Sequence, residues 1–330
     1  MNKKVLFIGG SGVISSACSQ LCIEKGIELS CITRGRSVRP LPDEVNQILA
    51  DIYDIESVLS SLKDRYFDAV VDWIAFEPDH VERDIRLFRD MTDQYIFIST
   101  ASAYQTPPKS LPITESTTLY NPFWEYSRNK IACEDLLVHE YRENGFPMTI
   151  VRPSHTYDKT MLPFRGRYTV IDRMLHNKKV LVNGDGTSLW TLTHHRDFAK
   201  GLVGLLGNPQ AIGETFHITS DEILTWNQIF DIVASAANTV AQKIHVPSEY
   251  IAAYDHDWGS GLLGDKTHSV IFDNSKIKRL VPDFKATIPF EQGAREIIAW
   301  YNEDPARKVI DQKFNEFVDF LIEKYQSILP

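Results

Sequence analysis

Short apolar runs recur along the first half of the chain, and most of them stop at a turn signal. Val5-Leu6-Phe7-Ile8 gives way to Gly9-Gly10-Ser11-Gly12, which predicts a buried strand entering a tight turn. Ile14 to Lys25 then reads as a helix that ends near Gly26. Glu28 to Thr33, Ala69 to Ile74, Tyr95 to Ser99 and Thr149 to Arg152 read as further strands. Ile55 to Leu62, His80 to Phe88 and Tyr126 to Asn144 read as the helices between them. Strands that alternate with helices predict a doubly wound α/β architecture, a parallel sheet whose ligands sit at the carboxyl ends of its strands.

Beyond about Tyr157 the pattern becomes mixed. Lys179 to Val182 and Thr215 to Ile218 read as short strands, and Trp226 to Ala237, Phe290 to Tyr301 and Gln312 to Ile328 as helices. No stretch rich in Gly, Pro or Ser separates the halves. The expected division is residues 1–157 as a nucleotide-binding domain and 158–330 as a smaller mixed lobe built onto the same sheet, with a cleft between them.

The 330 residues are 43% hydrophobic and 24% charged, which excludes disordered and fibrous classes. A net charge of -9 disfavours nucleic acid as a partner. The four cysteines, Cys18, Cys22, Cys31 and Cys133, form neither a disulfide framework nor a zinc motif and fit a reducing compartment. The opening MNKKVLFIGG lacks the apolar length of a signal segment, and no run approaches the roughly 20 apolar residues that span a bilayer. A cytoplasmic protein with no membrane partner is expected. His194 and His195 are adjacent, so they cannot share a metal as an i, i+4 pair does, and no metal site is expected.

Five segments carry candidate chemistry. The glycine turn lies directly between the first strand and the first helix, where the backbone can approach a pyrophosphate and the helix N-terminus offers N–H groups and a positive dipole. Ser15 stands where the last glycine of that fingerprint belongs. After the second strand, Thr33-Arg34-Gly35-Arg36 has two guanidinium groups and no acid. Arginine forks suit a 2′-phosphate, which favours NADPH over NADH; the alternative is a pair of solvated loop arginines. Asp51, beside Ile52, lies where a third strand ends and either contacts adenine or caps the following helix.

Tyr126 and Lys130 are four residues apart on one helix face, and a nearby ammonium lowers a phenol's pKa toward working pH. Some 26 residues upstream, Ser99-Thr100-Ala101-Ser102-Ala103-Tyr104 places hydroxyls at the end of a central strand.

With these motifs the chain resembles, over nearly its whole length, an extended short-chain dehydrogenase/reductase of the NAD-dependent epimerase/dehydratase family, in an atypical subgroup. The glycine turn resembles GxxGxxG, Tyr126 to Lys130 the YxxxK motif, Val151 to Tyr157 the RxxNxYG segment, and Gly184 to Asp197 a substrate-lobe segment. The resemblance implies a Rossmann domain binding NAD(P), leaning to NADP. Thr100 would hydrogen-bond the reacting oxygen, with Ser102 the second choice. Tyr126 would exchange a proton with that oxygen, and Lys130 would hold the nicotinamide ribose and depress the tyrosine pKa.

Carried over residue by residue, the cofactor would meet Gly9, Gly10, Ser11, Gly12, Val13, Ile14, Thr33, Arg34, Arg36, Asp51, Ile52, Trp73, Ile74, Ala75, Ser99, Tyr126, Lys130, Pro153 and His155. The substrate would meet Phe76, Ala101, Ser102, His155 and Trp190. Asp72 reads as a turn cap rather than a substrate contact.

Several positions depart from the pattern. Ala101-Ser102 replace the Asp-Glu pair of the dehydratases, so dehydration is not expected. Trp190 replaces an arginine that clamps the substrate diphosphate; it either stacks on a sugar or is a core indole. His155 replaces an asparagine and could bind phosphate if protonated. The resemblance implies an epimerase or reductase of a sugar or nucleotide sugar, homodimeric through helices near His80 to Phe88 and Lys130 to Asn144. The rival is a catalytically weak NAD(P)-binding sensor or an RNA-binding protein, because relatives that include plastid stem-loop RNA-binding proteins reuse this fold on RNA.

Overall fold

The computed structural model describes residues 2–328. The first half runs β1 (Lys4–Ile8), α1 (Val13–Glu24), β2 (Glu28–Thr33), β3 (Asn46–Leu49), α2 (Ile55–Ser61), β4 (Ala69–Asp72), α3 (Pro78–Phe88), β5 (Tyr95–Ile98), α4 (Glu125–Asn144) and β6 (Met148–Pro153). There follow β7 (His155–Tyr157), α5 (Tyr168–Leu175), β8 (Lys179–Asn183), β9 (Leu189–Trp190), β10 (Leu192–His194), α6 (His195–Leu205) and β11 (Thr215–Ile218). The remainder is β12 (Leu224–Thr225), α7 (Trp226–Ala236), β13 (Gln242–Val246), α8 (Ser248–Tyr254), α9 (His256–Gly261), a π-helical turn over Leu262–Lys266, α10 (Ser275–Leu280), α11 (Phe290–Glu303) and α12 (Gln312–Ser327).

The central sheet has the order β11-β6-β5-β4-β1-β2-β3, every pair parallel. Its inner strands β1, β4, β5 and β6 are largely apolar because both faces are covered, whereas the edge strand β3 has three of its four residues exposed. Val5 and Phe7 face the cluster that α1 and α6 close, whereas Leu6 and Ile8 face the cluster of α2, α3 and α4. The strand order reverses between β1 and β4, and a crevice opens there at the carboxyl ends.

The doubly wound parallel sheet matches the expectation, with most element ends within one or two residues. One correction carries physical content. The strand expected through Ile74 stops at Asp72, whose Oδ1 accepts the N–H groups of Ile74 (2.5 Å) and Ala75 (2.8 Å) and bends the chain. Beyond Tyr157 the chain returns to the same sheet: β11 is its edge strand and α6 covers part of one face.

The second lobe has its own core, in which Tyr157, Trp190, Trp226, Phe230 and Phe290 pack together, and α12 seals a smaller cluster against Leu181, Val246 and Ile251. Among the described residues no helix is long and apolar enough to cross a membrane.

Candidate active site

Gly9 adopts φ +77°, and a Cβ there would stand 2.9 Å from the Ile74 side chain; at Gly10 it would stand 2.8 Å from Cys31 Sγ. Both positions therefore demand glycine for a turn packed against β2 and β4. Gly12 caps α1, and its N–H donates to Ser15 Oγ at 2.8 Å. Ser15 is buried, so it fills the place of the missing glycine by capping rather than by absence of a side chain.

A cavity of about 480 Å³ opens beside this turn, lined by Gly9, Ser11, Thr33, Arg34, Arg36, Asp51, Ile52, Ile74 and Phe76. Arg34 and Arg36 are exposed at its lip. Asp51 lines it and also accepts the Tyr53 N–H at 3.1 Å, while the N-cap of α2 is Asp54. A turn that no Cβ can enter, a helix N-terminus and two guanidinium groups fit a nicotinamide dinucleotide phosphate chemically.

The catalytic candidates meet at the ends of β5 and β4. A 3₁₀ turn over Ala101–Ala103 begins at Thr100, whose Oγ1 accepts the Ser102 N–H at 3.2 Å and lies 3.0 Å from Ser102 Oγ. Ser102 Oγ is in turn 2.7 Å from Ser127 Oγ on α4. Asn121 orders the entry to α4: its Oδ1 accepts the N–H groups of Phe123 and Trp124, and its Nδ2 donates to Ser102 O at 2.8 Å and Gly264 O at 2.6 Å. One turn beyond Lys130, Glu134 is held by Arg152 and by Ser99 Oγ (2.5 Å), all buried, so α4 is bolted to β5 and β6.

Lys130 Nζ donates to the carbonyls of Ala75 (2.6 Å) and Ile98 (2.7 Å) and lies 4.7 Å from the Phe76 ring and 6.0 Å from the Tyr126 ring. Burial lowers its pKa to about 8. Burial raises that of Tyr126 to about 12; the Thr100 hydroxyl opposes this and Asp265 adds to it. The net shift of the tyrosine is therefore upward, with burial its largest cause, and not the depression expected.

A second cavity, about 390 Å³, holds Tyr126, Thr100, Ser99, Ala101, Ser102, Ile14, Pro153, His155 and Trp190. Its other walls include Trp124, Asp265 and Lys266. Behind it lies a smaller cavity of about 230 Å³, and Trp124 and Lys266 line both.

Most of the anticipated residues come together at these cavities, with corrections. Trp73 packs edge-on against Phe7 (5.4 Å) rather than into either one. Ala75 contributes its carbonyl to Lys130, and Val13 its carbonyl to His195 Nδ1 (3.0 Å). Phe76 lines the nucleotide cavity and sits 6.3 Å from Tyr126. Burial, aided by the Lys266 ammonium, lowers the His155 pKa to about 3, which works against the protonated phosphate ligand the sequence suggested. Trp190 is both a core indole and a cavity wall.

The sequence reading missed Trp124 as a wall, Ser127, Glu134, and the Asp265-Lys266 pair. Only Trp124, Ser127 and Glu134, flanking or on the YxxxK helix, left a local signal. Asp265 and Lys266 arrive from the π-helical turn, far along the chain.

Residues 5–219 match the family model described as "NAD dependent epimerase/dehydratase family". The chain is 27% identical over 268 residues to the chloroplast stem-loop binding protein of 41 kDa b of Arabidopsis thaliana, covering 75% of this chain and 67% of that one. It is 22% identical over 286 residues to the 2'-dehydrokanamycin reductase of Streptomyces kanamyceticus, covering 86% and 80%. The UDP-glucuronic acid 4-epimerase of Bacillus cereus, solved with UDP-glucuronic acid and NAD, shares the fold with a TM-score of 0.72 at 20% identity, over 91% of this chain and 99% of that one.

Proposed function

Because the chain belongs to the NAD-dependent epimerase/dehydratase family, we propose that it moves a hydride at a carbinol or keto carbon of a sugar, as an epimerase or reductase using NAD(P). The observation that carries this reading is the convergence of Thr100 and Tyr126 in one cavity, with Lys130 buried beside them on the same helix next to the nucleotide cavity. A bound nicotinamide supplies the hydride donor or acceptor.

The rest falls to the chain. A phenol with a pKa of about 12 is protonated at neutral pH and stands ready as the acid toward a keto oxygen. Thr100, which faces the phenol, hydrogen-bonds the same oxygen. Lys130 keeps one N–H free after its two carbonyl bonds and offers it to the nicotinamide ribose. Ala101 and Ser102 provide no acid or base for elimination, so dehydration is not part of the proposal. Arg34 and Arg36 favour NADP. In the homodimer we associate with this reading, α3 and α4, side by side on one sheet face, form the contact.

Tyr126→Phe is expected to lower kcat/KM by about 10²–10⁴. The check is absorbance at the reduced-nicotinamide band over a panel of glycosides and sugar nucleotides; unchanged turnover would remove Tyr126 from the mechanism.

The name of the Arabidopsis relative motivates one rival, an RNA-binding role. The net charge of -9 and the intact Thr100, Tyr126 and Lys130 oppose it. Retention of stem-loop RNA on a filter at moderate salt, without cofactor-dependent turnover, would reverse the order.

A further inference from the structure

Resting on the hydride-transfer reading, we infer that the sugar this chain accepts bears no phosphate: it is a glycoside, recognised by neutral hydrogen bonds and indole faces.

The distribution of free cations carries the argument. Three cations line the two cavities on the substrate side, and each is already matched. Lys266 Nζ is 2.7 Å from Asp265 Oδ2, Arg165 bridges Asp255 (3.2 Å) and Asp257 (3.3 Å), and buried Arg173 holds Asp319 and Asn315. The Lys266 ammonium is also held between the indoles of Trp190 (5.6 Å) and Trp124 (5.8 Å). A diphosphate entering here would shed its water without gaining an unpaired cation, and it would lie beside the Asp265 carboxylate. Arg34 and Arg36, which pair with no acid among the described residues, line the nucleotide cavity instead, where a cofactor phosphate can use them.

The cavity's unmet hydrogen-bonding capacity is of another kind. Trp190 Nε1 and His155 Nε2 are buried, have no partner among the described residues, and belong to side chains that line the cavity holding Tyr126. His155 is neutral, so its nitrogen offers a dipole and not a charge. A sugar hydroxyl, which donates and accepts, is the matching partner for neutral groups of this kind, and the Trp190 and Trp124 side chains offer apolar faces to the ring C–H bonds. The smaller cavity behind Trp124, walled by Trp226, Phe230 and Trp258, gives the aglycone or a second sugar an aromatic berth.

The test is quenching of tryptophan fluorescence in the full-length protein. The neutral probes are methyl β-glucoside, phenyl β-glucoside and cellobiose; the charged ones are UDP and UDP-glucose, at low and high salt. At least one neutral glycoside is expected to saturate the signal with little salt dependence. UDP-glucose is expected to bind about tenfold more weakly or not at all, and Trp190→Phe and His155→Phe each to weaken the glycoside about tenfold. Tighter, salt-sensitive binding of UDP-glucose, or no binding of any neutral probe, overturns the inference. Tyr126→Phe separates the two readings. Glycoside binding together with turnover that survives this substitution faults the hydride-transfer mechanism alone; UDP-glucose turnover that it abolishes faults the present inference alone.

Discussion

Lys130 shows how burial sets the chemistry of a single side chain. Its folded pKa of about 8 lies below its ordinary value of 10.5, so between these pH values the unfolded chain holds a proton that the folded one has released. The penalty for burying the ammonium is therefore full below pH 8, and this residue's contribution to stability improves as pH rises from 8 to 10.5. Activity should move the opposite way, falling above pH 8 as the charge facing the ribose disappears. A pH profile of kcat/KM should show that limb in the wild type and lose it, at a lower plateau, in Lys130→Met. Arg34 and Arg36 make a second residue-scale case, since neither has a role in packing. Arg34→Ser with Arg36→Ser should raise KM for NADPH about tenfold and leave KM for NADH nearly unchanged, as read by initial rates. Residues of this kind were legible in the sequence because each belongs to a short local motif. The pKa of Tyr126 was not legible, because it is set by burial, by the Thr100 hydroxyl and by Asp265, which comes from far along the chain.

Helix α4 illustrates what an element adds to its residues. Spacing alone puts Tyr126 and Lys130 on one face, but the helix is aimed by contacts that spacing does not reveal: Asn121 at its entry and Glu134 clamped between Ser99 and Arg152. The Glu134–Arg152 pair is buried at both ends, 2% and 5% exposed, so removing one partner leaves a charge without compensation. Glu134→Gln should cost about 3–5 kcal/mol in urea unfolding with an unchanged slope, and should lower activity by displacing Tyr126. The strands were readable because each is a short apolar run ended by a turn residue or an acid, as at Asp72. Elements such as β9, β10 and β12 were not, since two or three residues show no period and are held only by their partners.

At the scale of the molecule, the sequence reading divides the chain at Tyr157 and expects the second part to be built onto the same sheet, and we infer from the topology that residues 1–157 do not fold as a unit. Strand β11 pairs with β6 through Thr215–Ile218, and α6 packs on α1, so the sheet and one of its faces are completed by residues from the second half. Cut at 157, the chain would leave β6 as an edge of unpaired N–H and C=O groups and expose Cys18 and Cys22 of α1, which are fully buried in the whole protein. The end of β6 also bounds the cavity that holds Thr100 and Tyr126, through Pro153. Residues 1–157 expressed alone should therefore show no cooperative thermal transition and should bind hydrophobic dye, whereas 1–219, which restores α6 and β11, should regain helix–sheet packing and bind NADP(H) while binding no glycoside. Circular dichroism melts and cofactor fluorescence on the two fragments decide it. A cooperative transition in 1–157 would mean that β1 to β6 with α1 to α4 suffice as a unit, and that the second half is a passenger on the first.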